Sequence, residues 1–117
     1  MAYRLIDPKK IKNMLFNDAE YIIEFCEAGI QTFEEFARNY QIHLLNRDME
    51  NLRKAGHKMK PGAQMMGAGQ VVDEYEYAKK LLEAGADNES LAASVKEMDK
   101  VCTGAQKELE QLAEEQK

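Results

Sequence analysis

A chain of 117 residues holds one domain and one core, and its two prolines, absence of tryptophan and abundance of Glu, Lys, Leu and Ala favour helices over sheet. No apolar run approaches the ~20 residues of a membrane span, and the start Met1-Ala2-Tyr3-Arg4-Leu5-Ile6-Asp7 lacks a signal-peptide apolar region, so the chain reads as cytoplasmic. A net charge of −5 argues against general binding to nucleic acid or an anionic membrane surface.

The first predicted helix, 8–16, opens after Asp7 as cap, with Pro8 at the first helical position, where its missing N–H does no harm. Ile11, Met14 and Leu15 give it one apolar side, and Asn17 or Asp18 closes it and caps its successor; it reads as a lid on one end of a bundle. The second helix, 18–46, carries Ile22, Phe25, Cys26, Gly29, Phe33, Phe36, Ala37, Tyr40 and Leu44 at helical spacing. His43 follows Tyr40 by three residues, on or beside this stripe, and reads as a packed, hydrogen-bonded core residue without a chemical role. The third helix, 48–66, has Asn46 or Asp48 as cap and is ended by Gly67 and Gly69, since glycine accepts the left-handed backbone of a helix terminus. The fourth, 70–84, places Val71, Val72, Tyr75, Ala78 and Leu82 on one side and stops at Gly85. Asp87 or Asn88 caps the fifth, 88–114, in which Leu91, Val95, Met98, Cys102, Ala105, Leu109 and Leu112 alternate by fours and threes. The last residues, Glu114 to Lys117, are expected to fray. Cys26 and Cys102 belong to no ligand or C-x-x-C spacing and read as buried, reduced core residues. Four long amphipathic helices with short links bury their stripes most simply as an all-α, antiparallel up-down four-helix bundle with a short extra N-terminal helix, a single domain over 1–117.

Chemistry concentrates on the third helix. Met49, Leu52, Gly56, Met59, Ala63 and Met66 form its buried seam, with Gly56 and Gly62 towards the core side allowing a facing helix to approach. At roughly 100° per residue, His57 lies opposite that seam, with Glu50, Arg53, Lys54, Lys60, Pro61, Gln64 and Ala68 within roughly 60° of it. The imidazole is therefore expected to face water among cations. Neutral imidazole keeps a nucleophilic lone pair, its pKa lying near ~6.5. Lys60, one turn on, can neutralise an anion carried by the ring, and Gln64 can contact the ring or that anion. No second histidine or cysteine sits there at ligand spacing, and Glu-x-x-His precedes neither His43 nor His57, so phosphate chemistry is favoured over a metal site.

The run His57-Lys58-Met59-Lys60-Pro61-Gly62-Ala63-Gln64-Met65-Met66-Gly67-Ala68 resembles the signature of histidine-containing phosphotransfer (HPt) domains, H-x-L-K-G-[SA]-[SA]-x-x-[LIVM]-G-[AL]. His57, Lys60, Ala63, Met66, Gly67 and Ala68 match in place, Met59 replaces leucine conservatively, Gly62 stands where a small residue is expected, and Pro61 replaces the usual glycine. The resemblance implies the same bundle fold. It also implies that the glycine leaves room for an incoming receiver domain, where proline is bulkier. Pro61 has no N–H for the carbonyl of His57, so the helix is expected to bend there and tilt the imidazole outward.

What the resemblance implies for function is a phosphorelay intermediate. His57 accepts phosphate from a receiver-domain aspartate and passes it to another receiver, with Lys60 and Gln64 assisting. Arg53, Lys54, Lys58, Pro61, Met65 and Ala68 are the expected partner-binding residues, the basic ones steering towards an acidic receiver pocket. The chain carries no ATP-binding motif and is expected to need no cofactor of its own, Mg²⁺ belonging to the receiver. It is expected to be a monomer, and Met1 with no linker favours a free-standing chain. The alternative from another class is a docking or adaptor module that binds receiver or kinase domains without transfer, and Pro61 keeps it open.

Overall fold

Aspartates set where four of the helices begin. The computed structural model describes residues 2–117, and these form α1 (Pro8–Met14), α2 (Ala19–Leu45), α3 (Met49–Met65), α4 (Gly69–Glu83) and α5 (Asn88–Glu115), with no strand. Asp7, Asp18, Asp48 and Asp87 each accept a hydrogen bond from the backbone N–H three residues on, satisfying a donor that the helix itself leaves free. Asp18 caps α2 in preference to Asn17, Asp48 caps α3 in preference to Asn46, and Asp87 caps α5 in preference to Asn88.

The helix ends differ from expectation at two places. α1 stops at Met14 because Phe16 and Asn17 adopt left-handed backbone, with φ of 56° and 58°. Between α3 and α4 one left-handed glycine suffices: Gly67 has φ 72°, whereas Gly69, expected to help end α3, is the first residue of α4.

α2 packs against α3 and α5, and α4 packs against the same two helices. Contacting pairs run in opposite directions along two of these interfaces. Gly29 approaches Leu109 while Tyr40 bonds Ser94 between α2 and α5; Arg53 meets Glu83 while Lys60 meets Glu76 between α3 and α4. Ile22, Phe33, Leu44, Leu52, Met59, Met98, Leu109 and Leu112 are fully buried, each such side chain contributing about 1.5–3 kcal/mol through loss of contact with water. The buried Tyr40 hydroxyl lies 2.7 Å from Ser94 Oγ, which donates to Glu74 Oε2 at 2.6 Å, so the polar atoms in this part of the core are satisfied. Cys26 and Cys102 are free and buried, and desolvation pushes their thiols up to about 11 and about 12, away from reactivity.

α1 lies against the end of α3, where Asp7 N–H donates to Met66 O at 2.8 Å and Lys10 Nζ donates to Gln64 O at 2.7 Å. Among the described residues, no helix is long and apolar enough to cross a membrane.

Candidate functional site

α3 takes its rotation about its own axis from its contacts with two neighbours. Leu52, Gly56, Met59 and Ala63 are buried. A β-carbon added at Gly56 would overlap the Tyr75 ring of α4, so glycine permits the close α3–α4 approach. Gly62 does not share that role: the space beside its α-carbon is open to 4 Å. Arg53 and Lys60 reach acids on α4, and Lys58 reaches an acid on α2. His57 is exposed on the crest left between these two sides. α3 remains continuous through Pro61, which is also exposed.

Three of the four cations around His57 are matched by acids that sequence position alone does not bring near. Lys58 Nζ lies 2.8 Å from Glu35 Oε1, Lys60 Nζ 2.7 Å from Glu76 Oε1, Arg53 3.8 Å from Glu83 and Lys54 3.7 Å from Glu50. Only the last partner is on α3. The contact with Lys58 holds the Glu35 carboxyl below its ordinary value, and contacts with Lys60 and then Lys79 do the same for Glu76. Lys60 is correspondingly held above the ordinary lysine value by its contact with Glu76. Solvent screens exposed pairs of this kind, so they orient these side chains while leaving them exchangeable.

Gln64 is exposed, and its backbone carbonyl is tied to α1 through Lys10. Met65 is 44% exposed on the same helix. Ala68 departs from its expected place: it is fully buried, not beside His57 at the surface. The helical angle that put it there fails beyond Met65, because the chain turns at Gly67 and Ala68 N–H closes back on Ala63 O at 2.8 Å. His43 is half-buried at the end of α2 and not part of the core. It adds to the lowering of the Asp48 carboxyl, which comes first from the Asn51 side chain and Asn51 N–H.

Two residues absent from the expected site join it from α4. Glu76 places Oε1 against Lys60 and Oε2 3.0 Å from Lys79 Nζ. Both ammonium groups lie by the Tyr75 ring, Lys60 at 5.9 Å and Lys79 at 4.8 Å from its centroid. The Glu-x-x-Lys spacing of Glu76 and Lys79 is visible in the sequence, but only the α3–α4 register sets it beside Lys60. On the other flank, an open groove between α2 and α3 is floored by Phe36 and Met59, with Glu35 and Lys58 at its edge. Among the described residues, no three His, Cys, Asp or Glu side chains gather as a metal-binding group. Comparison with protein-family models, with curated proteins and with solved structures finds no match.

Proposed function

We propose that this chain is a histidine phosphotransfer protein of a two-component phosphorelay, with His57 as the phosphoryl carrier. The observation that carries the reading is an exposed histidine on the crest of α3, between two flanking helices, with Lys60 one turn away and the signature-like run around it. The packing of α2 and α4 each against α3 and α5 supports a four-helix bundle, with α1 as a lid at the end of α3.

The reaction needs little from the chain beyond presentation. The Nε2 lone pair of neutral His57 forms an N–P bond while the P–O bond to a receiver aspartate breaks, its electron pair remaining on the departing carboxylate. The proton on Nδ1, made more acidic by the new bond, passes to solvent. Lys60 offsets charge on the phosphoryl oxygens, and Gln64, in the same angular sector, orients the ring or donates to those oxygens. A divalent cation belongs to the acidic pocket of the receiver, and transfer to a second receiver reverses the same step. Arg53, Lys54 and Lys58 with Pro61 and Met65 form the docking surface.

The test is transfer of labelled phosphate from a phosphorylated receiver domain to wild type, His57→Gln and His43→Gln. Acid-labile, base-stable label on wild type and His43→Gln, absent from His57→Gln, is expected. Receiver binding without label would overturn the carrier reading in favour of a docking module, for which the exposed Pro61 beside His57 is the favouring observation.

A further inference from the structure

We propose that Glu76 is a positioning residue for the phosphoryl site, holding the Lys60 ammonium in the unphosphorylated chain and yielding it to a phosphoryl group on His57. This rests on the phosphotransfer reading and concerns a residue on a different helix from the signature.

The two oxygens of Glu76 are divided between two lysines, Lys60 at 2.7 Å from Oε1 and Lys79 at 3.0 Å from Oε2. Oε1 is shielded from solvent, and the Lys60 ammonium is the cation beside it. The pair is close, but both side chains are more than a third exposed, so solvent screens it and leaves it exchangeable. Tyr75 sits on Gly56, the residue before His57, and its ring flanks both ammonium groups, so Lys60 is kept within the histidine's neighbourhood. Lys60 is one turn from His57 and roughly 60° around the helix, where side chains three apart are neighbours.

A phosphoryl group adds about −1.5 to −2 charge and three acceptor oxygens. It competes well for Lys60 against one carboxylate that already shares its charge with Lys79. Lys79 makes the exchange tolerable: when Lys60 turns to the phosphoryl group, Lys79 still neutralises Glu76, and no half-buried carboxylate is stranded without a cation. The other pairs on α3 lack this arrangement, since among the described residues Glu35 and Glu83 each make one ion pair within 4.0 Å, not two.

The experiment measures the equilibrium of phosphoryl exchange between a receiver domain and four versions of the full chain: wild type, Glu76→Gln, Lys60→Met and the double variant. Glu76→Gln is expected to shift the equilibrium towards phosphorylated His57 by about two- to fivefold, the size of one partly exposed ion pair. In the Lys60→Met background most of that shift should vanish, because Glu76 acts through Lys60. As a second measurement, the NMR signal of the Lys60 ammonium should change on phosphorylation of wild type while that of Lys79 stays near its starting position. An unchanged equilibrium in Glu76→Gln, an equal shift in both backgrounds, or a Lys60 signal indifferent to phosphorylation would each overturn the positioning role alone. A wild type that takes no phosphate on His57 would overturn the phosphotransfer reading and this role with it.

Discussion

Two glycines on α3 separate close packing from mere tolerance. Gly56 faces the Tyr75 ring, itself buried and set edge-on to Phe36 with centroids 6.2 Å apart, so an added methyl group has nowhere to go without moving that stack. Gly62 has open space beside it and an ordinary helical setting. Gly56→Ala should therefore destabilise the fold by about 1–2 kcal/mol, overpacking outweighing the gain in helix propensity. Gly62→Ala should stabilise by about 0.5–1 kcal/mol. Urea unfolding of the two variants checks the pair, and a midpoint for Gly56→Ala at or above wild type would mean that Tyr75 has room to yield. The sequence treats these glycines alike because both fall towards the seam side of the helical projection. A projection gives direction around one helix, but the distance to the next helix depends on side chains from another part of the chain.

Helix extents were legible almost throughout, because capping aspartates and 3.6-residue periodicity are local signals. The pairing of elements across the site was not. Acidic Glu35, Glu76 and Glu83 meet the basic side of α3 only through the α2–α3 and α3–α4 registers, so an apparent excess of positive charge around His57 is balanced in the folded chain. At the level of one element, the cap of α5 carries a pH dependence. The Asp87 carboxyl is held below its ordinary value first by the Ser90 N–H at 2.8 Å, then by the Ser90 side chain, with Arg47 contributing. A carboxyl lowered in the folded state adds stability that is fully present above its unfolded value of ~3.9 and is lost as pH falls through the folded value. Asp48 at the head of α3 has the same sign, held down by Asn51. Asp87→Asn keeps a capping oxygen but cannot titrate, so its unfolding midpoint should fall less than that of wild type when pH drops below ~4, and an identical acid profile would exclude Asp87 as a contributor.

Over the whole molecule, the segment before α1 ties the two ends of the chain together and then reaches the helix that carries His57. Glu108 of α5 is 8% exposed, and its Oε1 accepts three backbone N–H groups, from Arg4 at 3.0 Å, Leu5 at 2.9 Å and Ile6 at 3.2 Å. Successive N–H groups converging on one anion make a strong local anchor. Tyr3 donates to Glu115 one helical stretch further on, and Leu5 rests where a β-carbon at Gly104 would stand. The same segment continues to Asp7, whose N–H holds Met66 O at the end of α3. A carboxylate on α5 is thus connected through the bent segment Arg4–Asp7 to the terminus of the site helix. Glu108→Ala removes the acceptor and leaves three donors to find water or stay unpaired, which should cost about 2 kcal/mol; Glu108→Gln, keeping one acceptor oxygen, should cost about 1 kcal/mol. Hydrogen exchange locates the effect. The Arg4, Leu5 and Ile6 amides should lose protection first in Glu108→Ala, followed by the Asp7 and Met66 contact at the end of α3, while amides in the middle of α2 and α5 keep theirs. Protection of those three amides equal to wild type would show that Leu5 on Gly104 is enough to hold the segment, and the carboxylate would then have no part in fastening α3.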